Sequence, residues 1–315
     1  MANAYTDTSG SSLGTSLVQT AYDRYVEMAL RPLTVIRAVA DKRPVQVDKP
    51  GSSVVLQRYN DLAVVTTALA ETTDPDAVAI PSTTSVTAVL NEYGNASLVT
   101  RKLELFSLSD IDPAIADILA YNMADSLDGI AMTELRGGTN VFYAGASGVV
   151  DTTGPTSAVV ATDIFSAKQA RRAVTELRAR NAIPRRDDLY WAGIHPRVAV
   201  DLREDSGAAG WRTPHEYSGA SNIWNGEVGV FEGAFYVETN RMYSASDGTT
   251  GATVYRTVFA GKQGLAEVVA EEPHTVIGPV VDKLNRFRPI GWYGVLAWKR
   301  YREEALQRVE SGATS

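Results

Sequence analysis

The chain has 315 residues, with 30 Lys and Arg against 37 Asp and Glu, a formal charge of -7 and an isoelectric point near 5.1. That length admits about two ordinary domains, and the mild acidity excludes a protein whose whole surface clamps nucleic acid. No cysteine is present, which removes disulfides, thiolate zinc sites, iron-sulfur clusters and cysteine nucleophiles, and the three histidines, His195, His215 and His274, are too dispersed for histidine-rich metal chemistry.

Met1 to Gly14 is small, polar and free of Lys and Arg, and no apolar run approaches the roughly 18 residues of a membrane span. We expect a soluble protein that is neither secreted nor inserted, with Asn95-Ala96-Ser97 a chance glycosylation sequon. Leu17 to Ala40 has helical apolar spacing broken by Pro32. From Pro44 to Leu105 the pattern changes to short β-type runs: Val45 to Val47, Ser53 to Tyr59, Ser85 to Leu90 and Ala96 to Leu105. Pro50-Gly51 and Glu92-Tyr93-Gly94-Asn95 read as turns between them. Asn60 to Thr84 is rich in Thr, Ala and Val, carries Asp61, Glu71, Asp74 and Asp76, and has no Lys or Arg. So long a loop is unusual in a compact domain, and the simplest geometry is a two-stranded arm projecting from the body with an acidic tip.

The clearest helix follows. Asp110 or Asp112 can cap it, Pro113 suits its first turn, and Ile111, Ile115, Ile118, Leu119, Met123, Leu127 and Ile130 recur every three to four residues. Running to Arg136 and stopped by Gly137-Gly138, it is a rod of about 36 Å. A second helix is predicted from Asp163 to Arg180, with Ile164, Ala167, Val174 and Leu177 inward and Lys168, Arg171, Arg172, Arg178 and Arg180 outward. Leu189 to Ile194 reads as a buried strand, His195 to Leu202 as a turn into a short helix, and Asp205 to Asn225 as a loop. Ala234 to Glu238, Thr253 to Ala260 and Ala266 to Ala270 are strands; Val276 to Arg302 gives two strand-like segments around Arg286 to Pro289, then a polar tail.

Chemistry-bearing motifs are weak. Gly10-Ser11-Ser12-Leu13-Gly14 has the letters of a nucleophile elbow but no hydrophobic strand before it. Gly145-Ala146-Ser147-Gly148 and Gly261-Lys262-Gln263-Gly264 complete neither a phosphate loop nor a dinucleotide fingerprint and read as turns. Asp74-Pro75-Asp76 and Asp110-Ile111-Asp112 read as solvated loop and helix start rather than a cation site. No histidine spacing fits a metal motif, so catalytic, cofactor and metal sites are all expected to be absent. Lys283, Arg286, Arg288, Lys299, Arg300 and Arg302 occur without an acid between them, and the 168 to 180 helix adds a second basic stripe, with Arg185 and Arg186 beyond it. Such faces are either solvated or matched to an acidic partner, whether phosphates or another subunit's acidic loop.

Four stretches resemble a known family: Val18-Gln19-Thr20-Ala21-Tyr22-Asp23-Arg24-Tyr25, Asn91-Glu92-Tyr93-Gly94-Asn95-Ala96, Ala120-Tyr121-Asn122-Met123-Ala124 and Arg288-Pro289-Ile290-Gly291-Trp292-Tyr293-Gly294. Together with the order of arm, long loop and rod helix, they resemble the major capsid protein of tailed double-stranded-DNA phages, an α+β chain of the Hong Kong ninety-seven-type fold. The resemblance implies an N-terminal arm (1–43), an extended β-hairpin loop (44–104), a peripheral domain with a spine helix (105–188), an axial domain (189–268) and a return to the peripheral domain with a C-terminal tail (269–315).

It further implies pentamers and hexamers, an icosahedral virion capsid assembled in the host cytoplasm, and an extended loop lying across a neighbour. Expected partners are further copies of the chain, a separate scaffolding protein, a portal, a decoration protein and packaged double-stranded DNA held by non-specific contact, with no membrane and no cofactor. Some members of that family crosslink through a loop lysine, but the only lysine between Arg43 and Thr100 is Lys49, near the loop base, so a shell without covalent crosslinks is expected. The inter-subunit contact candidates are Asp61, Glu71, Asp74 and Asp76 on the tip and Arg171, Arg172, Arg178 and Arg180 on the helix. Two rival readings are an encapsulin-type nanocompartment and a soluble α+β hydrolase using His195 with a loop carboxylate.

Overall fold

A computed structural model describes residues 35–43, 51–69, 71–72, 74–106, 111–145, 149–152, 154–205, 227–279, 282, 284 and 286–314. The expected first helix up to residue 34, the Val45 to Val47 run, the Gly10 to Gly14 motif, Lys49, Asp110, His215 and Lys283 lie outside them. In chain order the strands are β1 (Asp41–Arg43), β2 (Ser53–Arg58), β3 (Thr84–Val89), β4 (Asn91–Thr100), β5 (Val141–Gly145), β6 (Val149–Asp151), β7 (Tyr190–Ile194), β8 (Glu227–Phe231), β9 (Ala234–Glu238), β10 (Ser244–Ala245), β11 (Val254–Ala260), β12 (Leu265–Ile277), β13 (Phe287–Arg300) and β14 (Leu306–Ser311). The helices are α1 (Arg101–Phe106), α2 (Ile111–Leu135), α3 (Ala167–Ala179) and α4 (Pro196–Glu204).

Three sheets result. A four-stranded sheet runs β1-β12-β13-β4; an eight-stranded sheet runs β6-β5-β14-β11-β7-β9-β8 with β10 on β11; and β2 pairs with β3 alone. The runs expected at Ser53 to Tyr59 and Ser85 to Leu90 pair as an antiparallel ribbon, with Ser53 opposite Val89 and Arg58 opposite Thr84, while residues 91–100, expected within the extended loop, lie in the four-stranded sheet.

The spine helix α2 has 25 residues. Leu127, Ala131, Met132 and Leu135 are buried in one cluster with Ile290, Trp292, Leu296 and Trp298 of β13. Its last turn holds no basic residue of its own. The four terminal carbonyls of a helix need donors, and a cation there is favoured by the dipole. Two arginines from the far end of the chain supply both: Arg300 Nη1 donates to the Leu135 carbonyl at 2.9 Å, and Arg308 Nη1 to those of Arg136 and, at 3.1 Å, Gly137. Gly138, at φ +90°, turns the chain where any Cβ would fall on the Arg300 guanidinium.

On the eight-stranded sheet, Ala170, Ala173, Val174 and Leu177 of α3 pack with Phe165, Tyr236 and Phe259. This helix starts at Ala167 rather than Asp163, because Ser166 and Gln169 form a capping box, with the Ser166 N–H donating to Gln169 Oε1 at 2.6 Å. Asp163 is spent one turn earlier, accepting from the Val160 N–H at 2.9 Å. Ile164, expected inward, is 37% exposed.

Three further expectations are corrected. Glu92 to Asn95 is not a turn: it lies inside β4, paired with β13 from Gly94 opposite Tyr293 to Asn95 opposite Trp292. Gly94 is there for close backbone approach, since a Cβ would sit 2.7 Å from the Trp292 carbonyl oxygen. The β run expected to reach Leu105 stops at Thr100, and Arg101 to Phe106 is helical. The chain after Arg302 is not a polar tail. It forms β14, parallel to β5 and antiparallel to β11, within the eight-stranded sheet. Glu310 on it is fully buried, with Arg308 Nε at 2.8 Å and Arg256 Nε at 3.1 Å.

Candidate inter-subunit surface

Few contacts hold the β2–β3 ribbon to the body. Leu56 and Ala88 pack against Ala266, Val268 and Ala297. Tyr301 donates its hydroxyl to the Gln57 carbonyl at 3.1 Å, and Arg58 pairs with Glu304 at 3.2 Å. Asn60 closes the neck by donating to the Ser82 carbonyl at 2.7 Å and to Thr84 Oγ1 at 3.1 Å. Beyond the neck the described part of residues 59–83 has no regular structure. Val64 is 87% exposed and Ile80 76%, and Leu62, Val65, Leu69 and Val78 are exposed with them. The carboxylates Asp61, Glu71, Asp74 and Asp76 stand exposed among these apolar groups. An apolar surface on this scale marks a contact site.

The basic stripe is partly engaged within its own chain. Arg171 pairs with Glu232 at 2.6 Å, and that carboxylate, by hydrogen bond and charge, raises the guanidinium's affinity for its proton. Arg180 donates to Gln307 Oε1 at 3.0 Å and lies 3.6 Å from Glu176. Arg172 and Arg178 are exposed. Asp61 and Arg180 line one cleft, while among the described residues no ion pair joins Glu71, Asp74 or Asp76 to the helix.

The second basic run is largely absorbed. Arg286 pairs with Asp282, Lys299 with Glu134 at 3.7 Å, and Arg300 with Glu303 at 2.6 Å. Gly261 to Gly264 is the β11–β12 turn, and its amides are used internally: Gly261 donates to Ala305, Lys262 to Ile183 and Gln263 to Asp41. His195 is the N-cap of α4; its Nδ1 accepts from the Arg197 N–H at 3.3 Å, and its ring lies against Tyr255. Burial and the Arg197 charge push its pKa below 6.5. Among the described residues no three His, Asp or Glu side chains gather as a metal site, and no helix is long and apolar enough to cross a membrane.

Signals spread too far along the chain to be read from sequence pin the segment at residues 35–43. Buried Asp128 of α2 accepts from the N–H groups of Arg37 at 2.8 Å and Val35 at 3.2 Å. Burial pushes its carboxyl up from the ordinary range, against the pull of those donors. Arg37 reaches buried Glu267 at 2.7 Å, and Arg185 holds Asp41 at 3.3 Å.

Three of the stretches that carry the resemblance meet at one side chain. Asn122 Oδ1 on α2 accepts from Trp292 Nε1 of β13 at 3.0 Å and from Asn95 Nδ2 of β4 at 3.2 Å. Gly291 allows that junction to close, since a Cβ there would lie 2.5 Å from the Asn95 carbonyl oxygen.

The whole architecture can be set beside solved structures. The capsid of cyanophage Pam1 superposes with a TM-score of 0.72 at 15% identity, covering 97% of this chain and 99% of that one. The capsid of Ralstonia phage GP4 gives 0.72 at 14%, covering 96% and 98%. The acid-stable capsid of Helicobacter pylori bacteriophage KHP30 gives 0.72 at 12%, covering 94% and 96%. At such identities the likeness shows the fold, that of tailed-phage capsids. No curated protein matches the sequence. The family model described as phage capsid protein matches residues 102–302, from α1 through the spine to the end of β13, so that β1 to β4 and β14 lie outside the match. That match spans more than half of the chain, and this chain belongs to the phage capsid protein family.

Proposed function

We propose that this capsid protein builds its shell by self-association through pentamers and hexamers, enclosing phage double-stranded DNA, with each arm laid across a neighbouring subunit. One observation carries this reading: the apolar, acid-tipped loop of the arm stands exposed, without cover among the described residues. Each ribbon contact contributes about a few kcal/mol net after docking entropy, and many such contacts per subunit sum to a durable shell. The tip carboxylates Asp61, Glu71, Asp74 and Asp76 meet basic groups of the neighbour, with Arg171, Arg172, Arg178 and Arg180 as the first candidates. The four-stranded sheet, β4 included, serves with α2 as the peripheral part, the β2–β3 ribbon and the loop between its strands as the arm, and the eight-stranded sheet carries the axial part. Its role is structural, not enzymatic. A separate scaffolding protein, a portal and a decoration protein complete the particle, and assembly takes place in the host cytoplasm.

Replacing residues 61–82 by a short glycine-containing turn tests the arm. The subunit is expected to keep its unfolding midpoint and lose assembly. Assembly at wild-type yield would remove the arm from the account. Because Lys49 is the only lysine in residues 44–100, intact particles are also expected to run as a single monomer band on a denaturing gel. A ladder of multimers would contradict that.

A further inference from the structure

Beside the neck of the arm lies a cleft of about 320 Å³, lined among others by Arg58, Arg180, Lys262, Arg302, Asp61 and Glu304. Four cations face two carboxylates there. Arg58 is committed to Glu304, and Arg180 to Gln307 and Glu176. Lys262 is exposed and has no ion pair among the described residues, and Arg302 Nε is buried without a hydrogen-bond acceptor. The cleft therefore carries a positive excess and an unmet donor, which suits a carboxylate-bearing segment.

The arm has the complementary character. Residues 59–100 include no Lys or Arg, and Glu71, Asp74 and Asp76 stand exposed, outside the cleft of their own chain. Β2 ends at Arg58 and β3 begins at Thr84, so the loop between them can extend about 40 Å out and back. That is enough to cross onto an adjacent molecule.

Resting on the shell reading above, we infer that the cleft at the arm base, centred on Lys262 and Arg302, receives the acidic tip of a second copy of this chain. Each subunit thus offers both halves of the contact: the tip at one end of its arm and the receptor at the other. Of the helix stripe, Arg180 lines this cleft. A tip seated there also lies against Arg58, beside the Arg58–Glu304 pair that sets the neck, so docking on one subunit bears on the angle at which the next arm leaves.

Zero-length carbodiimide coupling of carboxylates to amines in a mixture of 14N and 15N chains tests this directly. The expected product is a mixed-isotope peptide joining Lys262 to Glu71, Asp74 or Asp76. Coupling of the tip only to Lys168 or other lysines, or of Lys262 only within its own chain, would overturn the inference. Protection of Lys262 by added duplex DNA without an interchain link would also overturn it, in favour of a phosphate backbone. A charge swap gives a second readout. Lys262→Glu with Arg302→Glu, and separately Asp74→Lys with Asp76→Lys, should each cut particle yield at least tenfold, while all four together recover it. Lys262→Glu alone serves if Arg302→Glu impairs folding. Shells from wild type, with no effect of either reversal, would sink the cleft and leave the shell standing. If wild type forms only smaller oligomers, the shell reading falls, and the interchain peptide still decides the cleft.

Discussion

Asn122 carries more of the fold than its half-buried position suggests. Its single amide oxygen satisfies the indole N–H of Trp292, a residue only 5% exposed, and ties β4 to β13 through Asn95. Asn122→Leu should cost about 1 to 3 kcal/mol in denaturant unfolding, because it leaves that indole donor buried and unpaired. Adding Trp292→Phe should recover part of the loss, and a fully additive double variant would contradict the assignment. Asn122 could be singled out in the sequence only as part of a family-like stretch; its partners, 27 and 170 residues away, could not. The Tyr93-Gly94-Asn95 run misleads for the same reason. Locally it reads as a turn, but Gly94 answers to a backbone more than 190 positions downstream.

At the scale of elements, the spine was the most legible part, since a long apolar period with Pro113 in the first turn needs no tertiary knowledge. Gly137-Gly138 marked where it ends, but what holds that end was not legible. Two arginines from the end of the chain hold those carbonyls, and Arg308 also flanks buried Glu310. Burial pulls the Arg308 pKa down while Glu310 opposes it. Arg308→Met should therefore cost about 3 kcal/mol in chemical denaturation, by leaving buried Glu310 to Arg256 alone, and Arg308→Met with Glu310→Gln should cost less. The residues after Arg302 read as a polar tail; the Arg256–Glu310–Arg308 cluster is what lets 306–311 enter a sheet.

Helix α4 gives a pH test. His195 caps it through an unprotonated Nδ1, and its folded pKa lies below 6.5, so the unfolded chain takes up the proton first as pH falls. Stability from this cap is present above 6.5 and is lost as pH drops through the lowered folded value. His195→Asn, a cap that does not titrate there, should flatten this part of the melting-temperature profile between about pH 7 and about pH 5. An unchanged slope would show that another group sets it.

For the whole molecule, membership of the phage capsid protein family gives a structural role. The arm was legible because a loop of that length with that composition cannot be buried in its own body. The cleft at the arm base was not legible, since its cations come from separate elements: Arg180 follows a helix, Lys262 sits in a hairpin turn and Arg302 follows β13. The most direct test of self-assembly is electron microscopy of the purified chain at high concentration, alone and with scaffold. Hollow icosahedral shells whose pentamers and hexamers have arms crossing between subunits are predicted; a 33.9 kDa monomer under every condition would contradict the account.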